Sequence, residues 1–151
     1  KKRLGCLLFS AAAWALEERD RWIGWEEKHR SQYLNGILNN SRYLIFPWVN
    51  IKNLASKALS LAVKRIKSDW PKLYNYKPVL LETFVDKEKF EGTCYKASNW
   101  KYLGYTKGRG RQDRYNEHLS SIKYIYVYPL VEDFREYLLG NRPDWNVGQN
   151  Q

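Results

Sequence analysis

Apolar residues along this chain fall in short blocks whose spacing switches between the two-residue period of a strand and the 3.6-residue period of a helix. Leu4 to Phe9 is a short apolar run suited to a buried strand, and Ser10 to Leu16 turns the chain over. From Glu26 to Leu38 the residues Tyr33, Leu34, Ile37 and Leu38 recur at helical spacing with charges in the first half, which predicts an amphipathic helix. Arg42 to Val49 returns to strand composition in Tyr43, Leu44, Ile45 and Phe46, with Pro47 marking an irregularity or an edge. Asn53 is placed to cap a helix that presents Leu54, Leu59, Ala62, Val63 and Ile66 on one side and ends near Trp70 and Pro71. Val79 to Val85 is the clearest strand: Val79, Leu81, Thr83 and Val85 share one face, and Leu80, Glu82 and Phe84 the other. A short helix from Lys87 to Ser98 follows, then strands at Trp100 to Tyr105 and Ile122 to Tyr128 separated by a basic loop.

Strands alternating with helices predict the α/β class, with a mixed central sheet and flanking helices. Asn39 to Val85 has the length of one strand-helix-strand crossover. With 44% hydrophobic residues, seven Trp, twelve Tyr and five Phe, residues 1–140 have the material for a single domain. Residues 141–151, rich in Asn, Gln, Pro and Gly, read as a flexible tail.

Charge sharpens the choice of partner. Lys and Arg number 26 against 16 Asp and Glu, a formal +10, and clustered cations bind polyanions by releasing condensed counterions. The excess gathers around Lys101, Lys107, Arg109, Arg111 and Arg114. The segment Thr106 to Tyr115, TKGRGRQDRY, alternates Gly with Arg, so backbone approaches phosphates while guanidinium groups grip them. Tyr102, Tyr105 and Tyr115 flank it and offer rings on which bases stack, which points to DNA or RNA. The plainer reading is a hairpin connection on a solvated basic surface.

Other chemistry is thin. Cys6 and Cys94 are too few for a disulfide framework, and no Cys and His set has zinc-ligand spacing, so a reducing, cytoplasmic setting without a metal is expected. Cys94 reads as a small core residue, His29 and His118 lie in charged stretches, and Asp86 reads as a helix cap. Glu82 points from an apolar face and is either a general base or a partly buried carboxylate paired with an Arg. No stretch reaches the roughly 18 apolar residues of a membrane span. Lys1, Lys2 and Arg3 before LGCLLFSAAAWAL outline a signal peptide, but Trp14 and the patterned segment that follows favour a folded strand.

The words GCLLFSAAAW, RDRWIGW, NNSRYLIFPWV, NLAS, PVLLETFVD, GTCYKASNW and LGYTKGRGR, in this order, resemble the Druantia anti-phage system protein DruA family, which also occurs beside or fused to transposases. The resemblance covers about Arg3 to Leu139. It implies the C-terminal portion of a longer protein serving phage defence or a mobile element, with other defence-system or transposase proteins as partners.

The element order also resembles the core of the GNAT acyltransferase superfamily, with Leu103-Gly104-Tyr105 similar to its closing Leu-Gly-Phe signature. That likeness implies a GNAT-like fold in which a splayed strand leads to a helix N-terminus whose N–H groups hold the pyrophosphate of an acyl coenzyme A. The corresponding residues are Asn50, Asn53, Ala55 and Ser56, of which only Ala55 conforms to the superfamily's Arg/Gln, Gly, Gly/Ala pattern. Its general-acid Tyr aligns with Trp100, whose indole cannot release a proton, leaving Tyr102 or Tyr95 as substitute and Glu82 as base. Three expectations follow. The first is a catalytically silent GNAT-like module that binds nucleic acid and needs no cofactor. The second is an N-acyltransferase using acetyl coenzyme A or another acyl-CoA. The third is a scaffold docking defence proteins through Trp22, Trp25 and Trp48.

Overall fold

A computed structural model describes residues 2–87, 92–106 and 122–147. Its elements run β1 (Gly5–Ala11), α1 (Glu17–Ile23), α2 (Glu27–Tyr33), β2 (Ile37–Ile45), α3 (Leu54–Tyr74), β3 (Leu80–Asp86), α4 (Thr93–Ala97), β4 (Lys101–Tyr105), β5 (Lys123–Pro129) and α5 (Phe134–Leu138). The five strands form one sheet in the order β1-β2-β3-β5-β4. Only β2 and β3 run parallel, joined through α3 as the crossover over Asn39 to Val85 predicts; every other neighbouring pair is antiparallel.

Each face of the sheet has its own core. Leu59, Val63 and Ile66 on α3 pack against Leu38, Leu81, Val85, Tyr95, Trp100 and Tyr126. The opposite face holds Ile23, Trp25, Ile37, Leu80, Val127, Phe134, Leu138, Trp145 and Val147. This double burial explains why β3 reads as a nearly continuous apolar run, as a strand covered on both sides must.

Several boundaries differ from those the periodicity predicts. The helix expected over Glu26 to Leu38 stops at Tyr33; a 3-10 turn at Leu34–Gly36 follows, and Ile37 already begins β2. Tyr33, Leu34 and Ile37 serve one core from two kinds of structure while Leu38 faces the other core, a division that helical spacing cannot reveal. Gly36 must stay small, because a Cβ there would lie 2.2 Å from the Trp145 ring. Helix α3 runs past Trp70 to Tyr74 with Pro71 inside it. Within the described residues the helix expected over Lys87 to Ser98 is only Thr93–Ala97. Helices α1 and α5 are too short and too charged for periodicity to reveal.

The segment expected to be a loose tail from residue 141 instead packs as far as Val147. Trp145 is buried, stacks on Tyr33 with ring centroids 5.8 Å apart, and donates its Nε1–H to the Lys77 carbonyl at 2.9 Å. Two apolar side chains outweigh the local Asn and Pro content. Trp145→Ala is therefore expected to lower unfolding free energy by about 3–5 kcal/mol in urea titration; an unchanged midpoint would mean that this segment is free.

Candidate functional site

β2 and β3 pair only from Ile37 opposite Leu80 to Asn40 opposite Thr83, although β2 continues to Ile45 and β3 to Asp86. The cause is a bulge. Leu8 faces Arg42 and Phe9 faces Asn40, so Ser41 is skipped in the β1 register, and β2 bends away from β3. Asn40 holds the fork. Its Nδ2 donates to the Leu8 carbonyl at 3.1 Å and to the Arg42 carbonyl at 3.2 Å, and its Oδ1 accepts from the Tyr95 hydroxyl at 2.5 Å. The Thr83 hydroxyl donates to the Asn40 carbonyl at 2.9 Å, meeting the last backbone acceptor before the strands part. Asn40, Thr83 and Tyr95 are all buried, so each of these bonds satisfies a group that burial would otherwise penalise.

Beyond the fork lies a slot of about 660 Å³ lined by Arg42, Tyr43, Phe84, Asp86, Thr93, Tyr95 and Lys123 among others. Asp86 thus borders the slot and does not cap α4, whose N-cap is Gly92. Gly92 sits at φ 73°, and a Cβ on it would come within 2.8 Å of the Tyr126 ring. The slot shares Ile45, Ala55, Thr93 and Cys94 with a second depression of about 340 Å³ that brings together Asn50, Asn53, Ala55 and Ser56 at the start of α3. Asn53 is the N-cap of α3, with φ 62° and no side-chain cap bond.

Burial raises the phenols beside this slot. Desolvation lifts Tyr43 from 10.0 to about 12, helped by nearby Cys94, and its hydroxyl donates to the Ala55 carbonyl at 2.6 Å. Desolvation likewise lifts Tyr95 to about 12 against the opposing Thr83 hydrogen bond. Burial also pushes the Cys94 thiol above 9.0, away from the thiolate a nucleophile needs.

The two residues proposed for catalysis are kept apart. Glu82 is fully buried on the face away from α3; its carboxylate accepts from Arg19 Nη1 at 2.6 Å, Asn39 Nδ2 at 2.7 Å and the Ala13 backbone N–H at 3.1 Å. Arg19 also pairs with Asp20 at 2.9 Å, and Asp20 with Arg30 at 3.1 Å. The arginine partnership thus occupies Glu82 and leaves no open approach for a substrate proton. Tyr102 lies on the opposite face at the β4 edge, exposed. Trp100 is buried edge-on to Tyr95 at 5.0 Å and presents no acid to the slot.

A second bulge builds a different surface. Tyr102 faces Tyr126, Gly104 faces Ile125 and Tyr105 faces Tyr124, so Leu103 is the extra residue. It brings Tyr102 and Tyr105, three apart, onto one face, where they are 45% and 56% exposed. Gly104 accepts the required φ of 135°. The Tyr102 ring lies 5.7 Å from Tyr124 and 5.5 Å from Tyr126. Desolvation raises its phenol, neighbouring tyrosines add to the rise, and Lys96 opposes it from close by. Lys101, by contrast, reaches the other face, its Nζ 5.6 Å from the Trp22 ring centroid.

Lys107, Arg109, Arg111, Arg114, Tyr115 and His118 lie outside the described residues, between ends fixed by Thr106 N–H to the Lys123 carbonyl at 2.8 Å. His29 accepts the Glu26 N–H at the start of α2. Of the three tryptophans expected at an exposed docking face, Trp25 is buried with its Nε1–H on the Leu138 carbonyl, Trp22 stacks on Phe134, and Trp48 alone is widely exposed. Among the described residues no group of three or more His, Cys, Asp or Glu is placed to hold a metal, and no helix is long and apolar enough to cross a membrane. Of Asn40, Thr83 and Tyr95, the sequence singled out Tyr95 alone, as a substitute acid; Asn40 and Thr83 were not legible as a site, since they meet Tyr95 across three different elements.

A family model described as Druantia protein DruA matches residues 1–123. No curated protein matches the chain.

Two measurements check this geometry. Removing one partner of the buried pair leaves an uncompensated charge, so Glu82→Ala should cost about 3–5 kcal/mol, while Arg19→Met with Glu82→Leu should cost less than the sum of the single changes; additive losses in denaturant would contradict the pairing. Because Tyr43 and Tyr95 sit above the free phenol, their stabilisation is complete below pH 10.0 and is lost as the pH rises toward about 12. Tyr95→Phe should flatten that alkaline fall in melting temperature; an unaltered profile would contradict the burial of this phenol.

Proposed function

The chain belongs to the Druantia DruA family and so to Druantia-associated defence, and we propose that within it the chain works as a nucleic-acid-binding module. One observation carries the reading: Tyr102 and Tyr105 are exposed side by side at the strand edge that leads into the segment containing Lys107, Arg109, Arg111 and Arg114. Base stacking on an aromatic ring is worth about 1–3 kcal/mol, and each phosphate neutralised releases counterions, so rings and cations on one loop root make a sequence-tolerant site for a single strand. Lys96, whose charge lowers the Tyr102 phenol, adds a cation to this surface. The site needs no cofactor.

A second reading has its own support. The parting of a parallel strand pair before a helix N-terminus is the arrangement the GNAT resemblance implies, and Asn50, Asn53, Ala55 and Ser56 border one depression there. Acyl-CoA-dependent transfer is weakened by Glu82, held by Arg19, and by the burial of Trp100. It would leave as proton donor either Tyr102, away from the slot's lining, or Tyr95, which lines the slot but gives its hydroxyl proton to Asn40 Oδ1.

Salt-dependent titration with labelled single-stranded and duplex DNA separates the two. Tyr102→Ala is expected to weaken single-strand binding by about 1–3 kcal/mol, and Arg109→Ala with Arg111→Ala to flatten the log-log salt slope by about one unit per lost phosphate contact. No DNA binding together with saturable binding of acetyl coenzyme A would overturn the nucleic-acid reading in favour of the transferase.

A further inference from the structure

We propose that the slot between β2 and β3 receives an extended acidic peptide segment of a partner protein, which pairs with the open strand edges as an added strand. Past Asn40 and Thr83, β2 pairs only with β1 and β3 only with β5 among the described residues, so each turns a row of backbone N–H and C=O groups toward the slot. Such edges are the template for strand addition, in which main-chain bonds supply affinity and alternate side chains supply specificity.

Size sets the length of the segment. At about 3.3 Å rise, 4.8 Å between strands and 10 Å between layers, an extended residue fills roughly 160 Å³. A slot of about 660 Å³ therefore takes about four residues, close to the overhang of β2 beyond the fork. Chemistry sets their pattern. One side of the inserted strand would meet Tyr43, Ala55 and Cys94, an apolar lining; Tyr43 and Arg42 project to opposite faces by strand alternation. Among the described residues, Arg42, Lys123 and Asp86 are the charged side chains that line the slot, and the exposed Arg42 and Lys123 outnumber Asp86 there. A segment alternating apolar with acidic residues satisfies both. This inference stands apart from the nucleic-acid reading, which rests on Tyr102 and Tyr105 at the β4 edge.

The test uses the full chain and a fluorescein-labelled octapeptide of alternating valine and glutamate, followed by fluorescence anisotropy. Saturable binding is expected, at least tenfold weaker for the alternating valine and lysine peptide. N-methylation of alternate backbone amides should weaken it at least tenfold in one of the two registers, which only strand pairing requires. Thr93→Trp, which fills the slot from the exposed first residue of α4, should also reduce affinity at least tenfold, while Tyr102→Ala leaves it unchanged. Equal binding of both N-methylated probes, loss with Tyr102→Ala, absence of binding, or displacement by coenzyme A at stoichiometric concentration would each overturn the proposal, the last by giving the slot to the coenzyme.

Discussion

The architecture turns on one residue out of step. Ser41 is skipped in the β1 register, and from that bulge β2 leaves β3 after four paired residues. A bulge alone would leave frayed backbone in a buried place. Asn40 prevents this by spending its whole side chain on the fork: the amide bridges the carbonyls of Leu8 and Arg42, and the oxygen takes the Tyr95 hydroxyl. The cost of burying Asn40, Thr83 and Tyr95 is thereby offset bond for bond. Tyr95 also anchors α4, so the same contact sets the position of the element that forms the slot's far wall.

The opposite face shows why an ionisable residue in an apolar strand need not be catalytic. Glu82 alternates with Leu80 and Phe84 as the sequence predicts, yet its environment is completed by Arg19 from α1, far away in the chain. An Arg partner for Glu82 was legible in the sequence, but the motif around Arg19 to Trp25 has little helical periodicity, so nothing local singled out Arg19 as that partner. Once there, Arg19 ties α1 to the sheet, and Asp20 and Arg30 extend the pairing to α2.

What was legible followed from physics local to a segment. The β2-α3-β3 crossover, the two faces of β3, and β4 and β5 on either side of the basic segment came from period and composition. Residues shared between distant elements stayed hidden. Ile37 and Leu38 kept the helical spacing of Tyr33 and Leu34 but belong to a strand, because Gly36 lets Trp145 close over the turn. Trp145 itself sat in a stretch of Asn and Pro that reads as tail. Both bulges were likewise invisible, yet each decides a surface: one at Ser41 opens the slot, and one at Leu103 turns Tyr102 and Tyr105 to the same side. Of the candidate residues, Asn50, Asn53, Ala55 and Ser56 do converge, whereas Glu82 and Tyr102 are separated by the sheet.

The sheet is sealed up to Asn40 and Thr83 and open between β2 and β3 beyond them. Amide hydrogen exchange by NMR on the free protein tests this residue by residue. Slow exchange is predicted throughout residues 38–40 and 81–83. Over 42–45 and 84–86 alternate amides should be unprotected, namely those turned toward the slot. Uniform protection through Ile45 and Asp86 would show that the two strands stay joined, and would contradict both the fork and the slot it opens.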